Sequence, residues 1–529
     1  MSSGTLPLET YHRAQAVGSG AYGSVLVVYN DDGEEFALKL FDDEDSNDEE
    51  SDEEEEEDDS EKVSTGDGIS LGALREISIL RILRGDVGHP NIIKIHDIQT
   101  EFVDDTDECG AGTQGYMGIA MPVYHTGSLG SAFTHFTTKR QKLRFAQELL
   151  QAVSFLHDNG IIHRDIKADN ILLEQVDDNE AAAKMGANKK GGIPIYYKPI
   201  LIDFSLAKLI EPSKMYDCDT YNSLLEKHVN KYHDKKEGAY EMTHTIEIGT
   251  PTYRSPEVVN QESYSFPSDM WSIGVVLLEL LRGSEIECHK DNTAIQLIEN
   301  EIQKLPENQP FPNLIRGLLE IDPTKRLTAH QALNSPVFSK FGLTTNSTSS
   351  DDVSTTKRIN LNEAIPFDET GSEDEDEEKE ENESGRSNQK GSKKKKGDDH
   401  HQKQKKKEQQ KLRKRYQLIE KICENMEWTT NPLTKQAAYT YSLVMTELDD
   451  ELDNLQESQS LLDCCVLAHK FYETDIYRLK DIENGAYGEQ YFLKYNWNVE
   501  QYIDNENSLF MLLDFCLYPR QLITNGIED

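Results

Sequence analysis

The chain has 529 residues, a net charge of −42 and an apolar fraction of 36%, which predicts two or three domains with cores of their own. Much of the acidity sits in two runs, Asp42–Glu61 and Ser372–Glu383. Blocks of like charge repel themselves and stay unstructured, so the total charge says little about folded surfaces, and nucleic acid is not predicted as a partner. Seven scattered cysteines form no CxxC pair, which argues against zinc and fits a reducing compartment. The polar start and the absence of a span-length apolar run predict an intracellular chain with no membrane partner.

In chain order, a short tail (1–10) precedes residues 11–41, where apolar and polar residues alternate around glycines as in hairpins of a sheet. Residues 42–68 are an acidic insert. Residues 69–84 carry helical periodicity, with Ile69, Leu71, Leu74, Ile77, Leu80 and Leu83 near one face. Short strands return over 92–129. An amphipathic helix covers Lys139 to His157, and the chain is then mostly helical to Phe338. Two patternless stretches, 174–198 and 211–241, read as loops inset in a compact domain. Residues 339–410 form a linker, acidic and then basic, that could build no core. Its basic tract, Lys393–Lys407, is either a nuclear address or a neutraliser of the nearby acid. From 411 to 529 helical patterning resumes, enough for a small all-helical domain.

Three segments carry chemistry. "GSGAYGSV" (Gly18, Ser19, Gly20, Ala21, Tyr22, Gly23, Ser24, Val25) lies between two strands. Its glycines either close the backbone over phosphates or simply make a tight turn. "FALKL" then puts Lys39 on a strand, where a half-buried ammonium calls for an acid; Glu76 in the 69–84 helix is the candidate. "IIHRDIKADNILL" holds Asp165, Lys167 and Asn170 in a polar loop between apolar flanks. Asp165 can accept the proton of an attacking hydroxyl, Lys167 can steady a phosphoryl group and Asn170 can hold a metal. "ILIDFSLAK" adds Asp203 as a carboxylate for Mg2+.

In this order the segments resemble the eukaryotic protein kinases, over residues 11–338, and the likeness continues through "GTPTYRSPE", "SDMWSIGVVLLEL" and "IDPTKRLTAHQAL". The resemblance implies an α+β, two-lobed fold, with ATP and Mg2+ as cofactors. It places Met121 and Val123 beside ATP together with the glycine loop, makes Glu257–Arg326 a structural brace, and has Asp269 tie the catalytic loop to a helix. Lys167 and Thr250 match the serine/threonine type. Ser205 stands where the family has the glycine of DFG, and Ser255 where it has the alanine of APE. A weakly active scaffold is the alternative reading.

"LREISIL" resembles the regulatory helix of cyclin-dependent kinases. In that group a cyclin packs on the helix and the Lys–Glu pair then forms. The resemblance makes Arg75, Arg164 and Lys208 the cluster that receives a phosphothreonine, expected at Thr245 with Thr243 as fallback. Arg254 resembles the arginine of proline-directed kinases, which suggests Ser/Thr-Pro substrates, although Thr252 stands where that group has Trp. The segments 461–482 and 489–499 look like a cyclin box, with Lys470 and Glu489 as the residues that grip the kinase. The chain would then carry its own activator on a long tether.

Overall fold

The computed structural model describes residues 11–20, 23–41, 68–83, 88–102, 116–177, 195–210, 250–262, 264–288, 291–340, 414–424, 426, 433–448, 454–472, 492, 494, 497–513 and 516–518. The turn residues Ala21 and Tyr22, most of the acidic insert, the 211–241 insert, Thr243, Thr245, all of the linker after residue 340 and Glu489 lie outside them.

The N-terminal lobe is a five-stranded antiparallel sheet in the order β1-β2-β3-β5-β4. Its strands are β1 (His12–Gly20), β2 (Gly23–Tyr29), β3 (Glu35–Phe41), β4 (Asp97–Phe102) and β5 (Tyr116–Pro122). Alternation in "EFALKLF" decides the faces. Phe36, Leu38 and Leu40 join Tyr11, Leu26, Val28 and Ala120 in a core of their own on one side. That leaves Lys39, paired in register with Val25 and Ile119, on the opposite face.

Helix α1 (Leu71–Ile82) crosses that opposite face, capped by Ser70, whose hydroxyl accepts from the Ala73 N–H at 3.2 Å. It is buried nearly all round: Ala73, Leu74, Glu76, Ile77, Ser78, Ile79, Leu80, Arg81 and Ile82 are all enclosed. A helix buried on every side needs a partner on every side, and the lobe supplies only some of them.

The second lobe is helical. It holds α2 (Leu129–Ala132), α3 (Lys139–Asp158), α4 (Pro256–Val259), α5 (Phe266–Arg282), α6 (Asp291–Lys304), α7 (Pro310–Leu318), α8 (Ala329–Leu333) and α9 (Pro336–Lys340). Helix α3 opens on a capping box, Thr138 with Gln141. Helix α5 is the central post, with Trp271, Ile273, Val275, Val276 and Leu277 wholly buried. Two small ribbons cross its top: β6 (Ile161–Ile162) with β9 (Lys208–Leu209), and β7 (Ile171–Asp177) with β8 (Ile195–Leu201).

The second ribbon corrects the expectation of a loop over 174–198. Residues Glu174–Asp177 and Ile195–Lys198 are paired strand, in register from Ile171↔Leu201 to Asp177↔Ile195. Glu174 and Lys198 sit opposite one another, 2.8 Å apart, and a cross-strand ion pair of this kind supports a ribbon that polarity alone would assign to a loop.

Beyond the second lobe, residues 414–424 are helical, followed by α10 (Leu433–Leu448), α11 (Asn454–Tyr472) and α12 (Val499–Leu512). Their packed side chains, among them Tyr441, Leu467, Phe492, Tyr502 and Phe510, belong to the same continuous hydrophobic cluster as α1 and the helical lobe. Among the described residues no helix is long and apolar enough to cross a membrane.

Inside this helical tail Asp463 accepts hydrogen bonds from Trp497 Nε1 at 2.7 Å and Asn505 Nδ2 at 3.4 Å. Burial outweighs both and pushes its pKa up to about 6. The folded state therefore holds a proton that the unfolded chain releases near pH 4, so stability falls as pH rises through that window. At about 1.4 kcal/mol per pH unit the loss is about 3 kcal/mol. Asp463→Asn keeps an acceptor for Trp497 without the charge. It is expected to stabilise the tail by about 1–3 kcal/mol at pH 7.5 and to flatten the fall between pH 4 and 6; urea melts across that range check both.

Candidate active site

The cleft between the lobes gathers the predicted residues. Lys39 Nζ lies 2.6 Å from Glu76 Oε2 and 3.2 Å from Asp203 Oδ1. Burial alone would lower the pKa of this ammonium. The two carboxylates prevail, so its pKa sits above the ordinary lysine range. Glu76 also accepts from the Phe204 backbone, which joins α1 to the segment carrying Asp203.

Asp203 is in the left-handed region, φ 64°. A non-glycine residue held there costs about 1–3 kcal/mol and persists only where its surroundings enforce it. Here Phe204 is fully buried with its ring against His163, centroids 4.8 Å apart. Burial disfavours the Asp203 charge, but Lys39 and a 2.7 Å bond from Ser205 Oγ hold the pKa down to about 2. Ser205, the departure from DFG, thus acts as a donor to the very carboxylate it follows.

The catalytic loop is built around Asp165. Its carboxylate Oδ2 lies 2.9 Å from Lys167 Nζ and accepts from Asn170 Nδ2 at 2.8 Å. Asn170 Nδ2 also donates to the Asp165 backbone carbonyl at 2.9 Å, so both of its amide-nitrogen bonds are local. Lys167 donates in addition to Thr250 Oγ1 at 3.2 Å. Arg164, immediately before Asp165, is also left-handed, φ 69°.

The strained turn is pinned from below. Asp269, wholly buried on α5, accepts from the backbone N–H groups of His163 and Arg164, each at 2.9 Å, and contacts His157 Nε2 at 2.9 Å. His163 is kept neutral by burial. Its Nδ1 accepts from the Asp165 N–H, and so its Nε2 is the protonated nitrogen, 3.1 Å from the Ile202 carbonyl. Farther out, Arg326 grips Glu257 with two bonds, 2.6 and 2.9 Å, and packs beside Trp271.

Of the expected phosphothreonine cluster, Arg164 donates to the Leu206 carbonyl and to Tyr264 Oη at 3.1 Å, and its Nη2 is buried with no partner among the described residues. Lys208 lies at the start of β9, and Arg75 is on α1. Met121 pairs with Ala37 at the end of β5, and Val123 follows that strand at the hinge. The glycine segment brackets its turn in register, Gly18↔Val25 and Gly20↔Gly23.

The helical tail meets α1 directly. Lys470 pairs with Glu506 at 3.1 Å, both buried. Glu489 lies outside the described residues and the acid in this contact is Glu506, on α12. Glu506 accepts from Tyr502 Oη at 2.7 Å and from the backbone N–H of Ile69 at 2.7 Å, so it satisfies a buried donor just before α1. Gly68 makes the approach feasible: it has φ +77°, and a Cβ there would fall on the Glu506 carboxylate. On α1 itself, Ser78 Oγ accepts from the Leu517 N–H at 3.2 Å. The sequence does hint at Glu506: it sits one turn after Tyr502 and one before Phe510, an acid on the apolar face of its helix, and such an acid needs a partner.

Comparison with known proteins agrees with this geometry. The protein kinase domain model matches residues 11–338. The chain is 26% identical to a calcium/calmodulin-dependent protein kinase type II of Caenorhabditis elegans over 349 residues, 64% of this chain and 37% of that protein. It is 26% identical to the serine/threonine-protein kinase atg1 of Dictyostelium discoideum over 263 residues, 48% of this chain and 31% of that protein. The chain thus spans about a third of the length of these relatives. With a matched model covering more than half its residues, a lysine–glutamate–aspartate chain across the cleft and a catalytic loop in place, it belongs to the protein kinase domain family.

Proposed function

We propose that the chain is an ATP- and Mg2+-dependent serine/threonine protein kinase of the cyclin-dependent type, with a cyclin-like C-terminal domain that activates it in cis. One observation carries the reading: the Lys39–Glu76 pair is formed while tail helices cover the helix that bears Glu76. Asp165 takes the proton of the substrate hydroxyl as that oxygen attacks, and Lys167 steadies the transferred group. Lys39, oriented by Glu76, holds ATP phosphates under the glycine segment, with Met121 and Val123 against the base.

The site fits Mg2+. Asp203 stays ionised, the Asn170 carbonyl oxygen remains as a donor, and no larger set of His, Cys, Asp and Glu side chains converges among the described residues. Two protein ligands, with phosphates and water supplying the rest, is how Mg2+ is ordinarily held. When bound, it neutralises phosphate charge. Arg75, Arg164 and Lys208 receive phosphorylated Thr245; the Arg164 Nη2, buried with no partner among the described residues, supports that role.

The substrates are proteins phosphorylated on Ser or Thr. A peptide array with Ser, Thr and Tyr acceptors, with and without Pro in the following position, tests the class. Labelling of Ser and Thr but not Tyr is expected, with enrichment of Pro. Tyr labelling would reject the serine/threonine reading, and the lack of Pro enrichment would reject the proline-directed one.

A further inference from the structure

Ser205 stands in a glycine's place without using a glycine's freedom. Among the described residues the non-glycine positions with positive φ are Arg164, Asp203, Gln261 and Asn308, so Ser205 lies outside the region that favours glycine. Its side chain is enclosed, 1% exposed, in a segment whose Phe204 and Ala207 are fully buried. A hydroxyl shut away from water needs a partner, and this one has Asp203 Oδ1 at 2.7 Å. A carboxylate only accepts, so the hydroxyl is the donor.

Three donors converge on that one oxygen. The Ser205 N–H approaches Oδ1 at 3.4 Å and Lys39 Nζ at 3.2 Å. Among the described residues the bonds to this carboxylate all fall on Oδ1. The side chain is 19% exposed, and Oδ2 is the oxygen left for a ligand in the cleft. The two side-chain donors differ in their anchorage. Lys39 belongs to β3 in the other lobe and is shared with Glu76 at 2.6 Å, so its hold changes whenever that lobe or α1 moves. Ser205 travels with Asp203. Its bond is also the shorter, in the range of strong hydroxyl–carboxylate bonds. A glycine at this position could offer only the long N–H contact.

We propose that Ser205 is a positioning residue for metal binding: its hydroxyl fixes the rotation of the Asp203 carboxylate from within the same segment, occupying Oδ1 and leaving Oδ2 for Mg2+. This rests on the reading that Asp203 holds Mg2+ for phosphotransfer. Donors that orient a metal-holding group are worth about 10- to 100-fold in metal affinity or activity. With Lys39 still in place, the lower end applies to Ser205.

Ser205→Ala in the full chain removes the hydroxyl and little else. Mn2+ serves as a paramagnetic stand-in for Mg2+, and its binding to the ADP-loaded chain is read by electron paramagnetic resonance. The Mn2+ Kd should rise about tenfold, while ADP affinity without metal stays within about twofold of wild type. The Mg2+ concentration for half-maximal phosphotransfer should rise in parallel. Ser205→Gly also lacks the hydroxyl and should behave in the same way; if the Ala variant does not fold, the Gly variant decides. A wild-type Mn2+ Kd in these variants would overturn the proposal and leave Ser205 as packing alone, as would a loss of metal-free ADP affinity equal to the loss of Mn2+ affinity. Asp203→Ala separates the proposal from the reading beneath it. If Asp203→Ala loses Mn2+ and the Ser205 variants do not, the serine is wrong and the Mg2+ reading stands. If Asp203→Ala binds Mn2+ as the wild type does, the Mg2+ reading fails and the proposal falls with it.

Discussion

Asp203→Ala is expected to lower phosphotransfer to a peptide by about 10³-fold or more, with the fold retained. The carboxylate is the one group that meets both Lys39, at 3.2 Å, and Ser205, at 2.7 Å, and it is the principal anionic ligand for Mg2+ in the proposed site. Its removal leaves Lys39 still paired with Glu76, so no buried ammonium is stranded, and alanine at φ 64° costs about what aspartate already does. Loss of activity with an unchanged melting profile is therefore the signature. Because the Asp203 pKa is held down to about 2, its stabilising contribution is present above the ordinary aspartate range and disappears only as pH falls toward 2. Any pH dependence of kcat/KM above pH 5 belongs to other groups. A variant as active as the wild type would remove Asp203 from the mechanism, and a wild type that fails to transfer phosphate at all would favour the scaffold reading.

Deleting residues 411–529 should lower kcat by about 10- to 100-fold, because the inward position of α1 would fall to a minor population. Without the tail, Ile69 N–H and Ser78 Oγ lose Glu506 and Leu517, and the apolar side of α1 faces water. The helix then gains by tilting outward, which separates Glu76 from Lys39 across a gap now bridged at 2.6 Å. The same fragment added in trans should restore activity, at concentrations well above those the tether provides. Unchanged activity in the truncated chain would reject activation by the tail.

The residues gathered in the cleft are legible as candidates because their spacing is dictated by chemistry within single segments. Asp165, Lys167 and Asn170 lie within one loop, and the alternation in "EFALKLF" fixes the face that Lys39 occupies. Glu76 was legible for a different reason: a half-buried lysine needs an acid, and the nearest helix offered one. The interdomain contact was less legible. Glu489, expected to grip the kinase together with Lys470, lies outside the described residues, and Glu506, which tertiary packing brings from α12 to Lys470 and the Ile69 N–H, is no part of the cyclin-like pattern. The polar edge of the Glu174–Lys198 ribbon reads as loop and hides the pairing that its cross-strand ion pair supports. Ser205 looked like a lost glycine, and only its hydroxyl geometry reveals a donor to Asp203.

The contact between Glu506 and Ile69 joins two parts of one polypeptide, and that changes how such a kinase could be controlled. An enzyme activated by a separate subunit gains or loses specific activity with that subunit's abundance, and dilution switches it off. Under the cis activation proposed above, the ratio of activator to enzyme would be fixed at synthesis, so specific activity per molecule should be the same at nanomolar and micromolar concentration. Excess free activator should add nothing, and control would have to come from covalent marks, from proteolysis within the linker or from the lifetime of the whole chain.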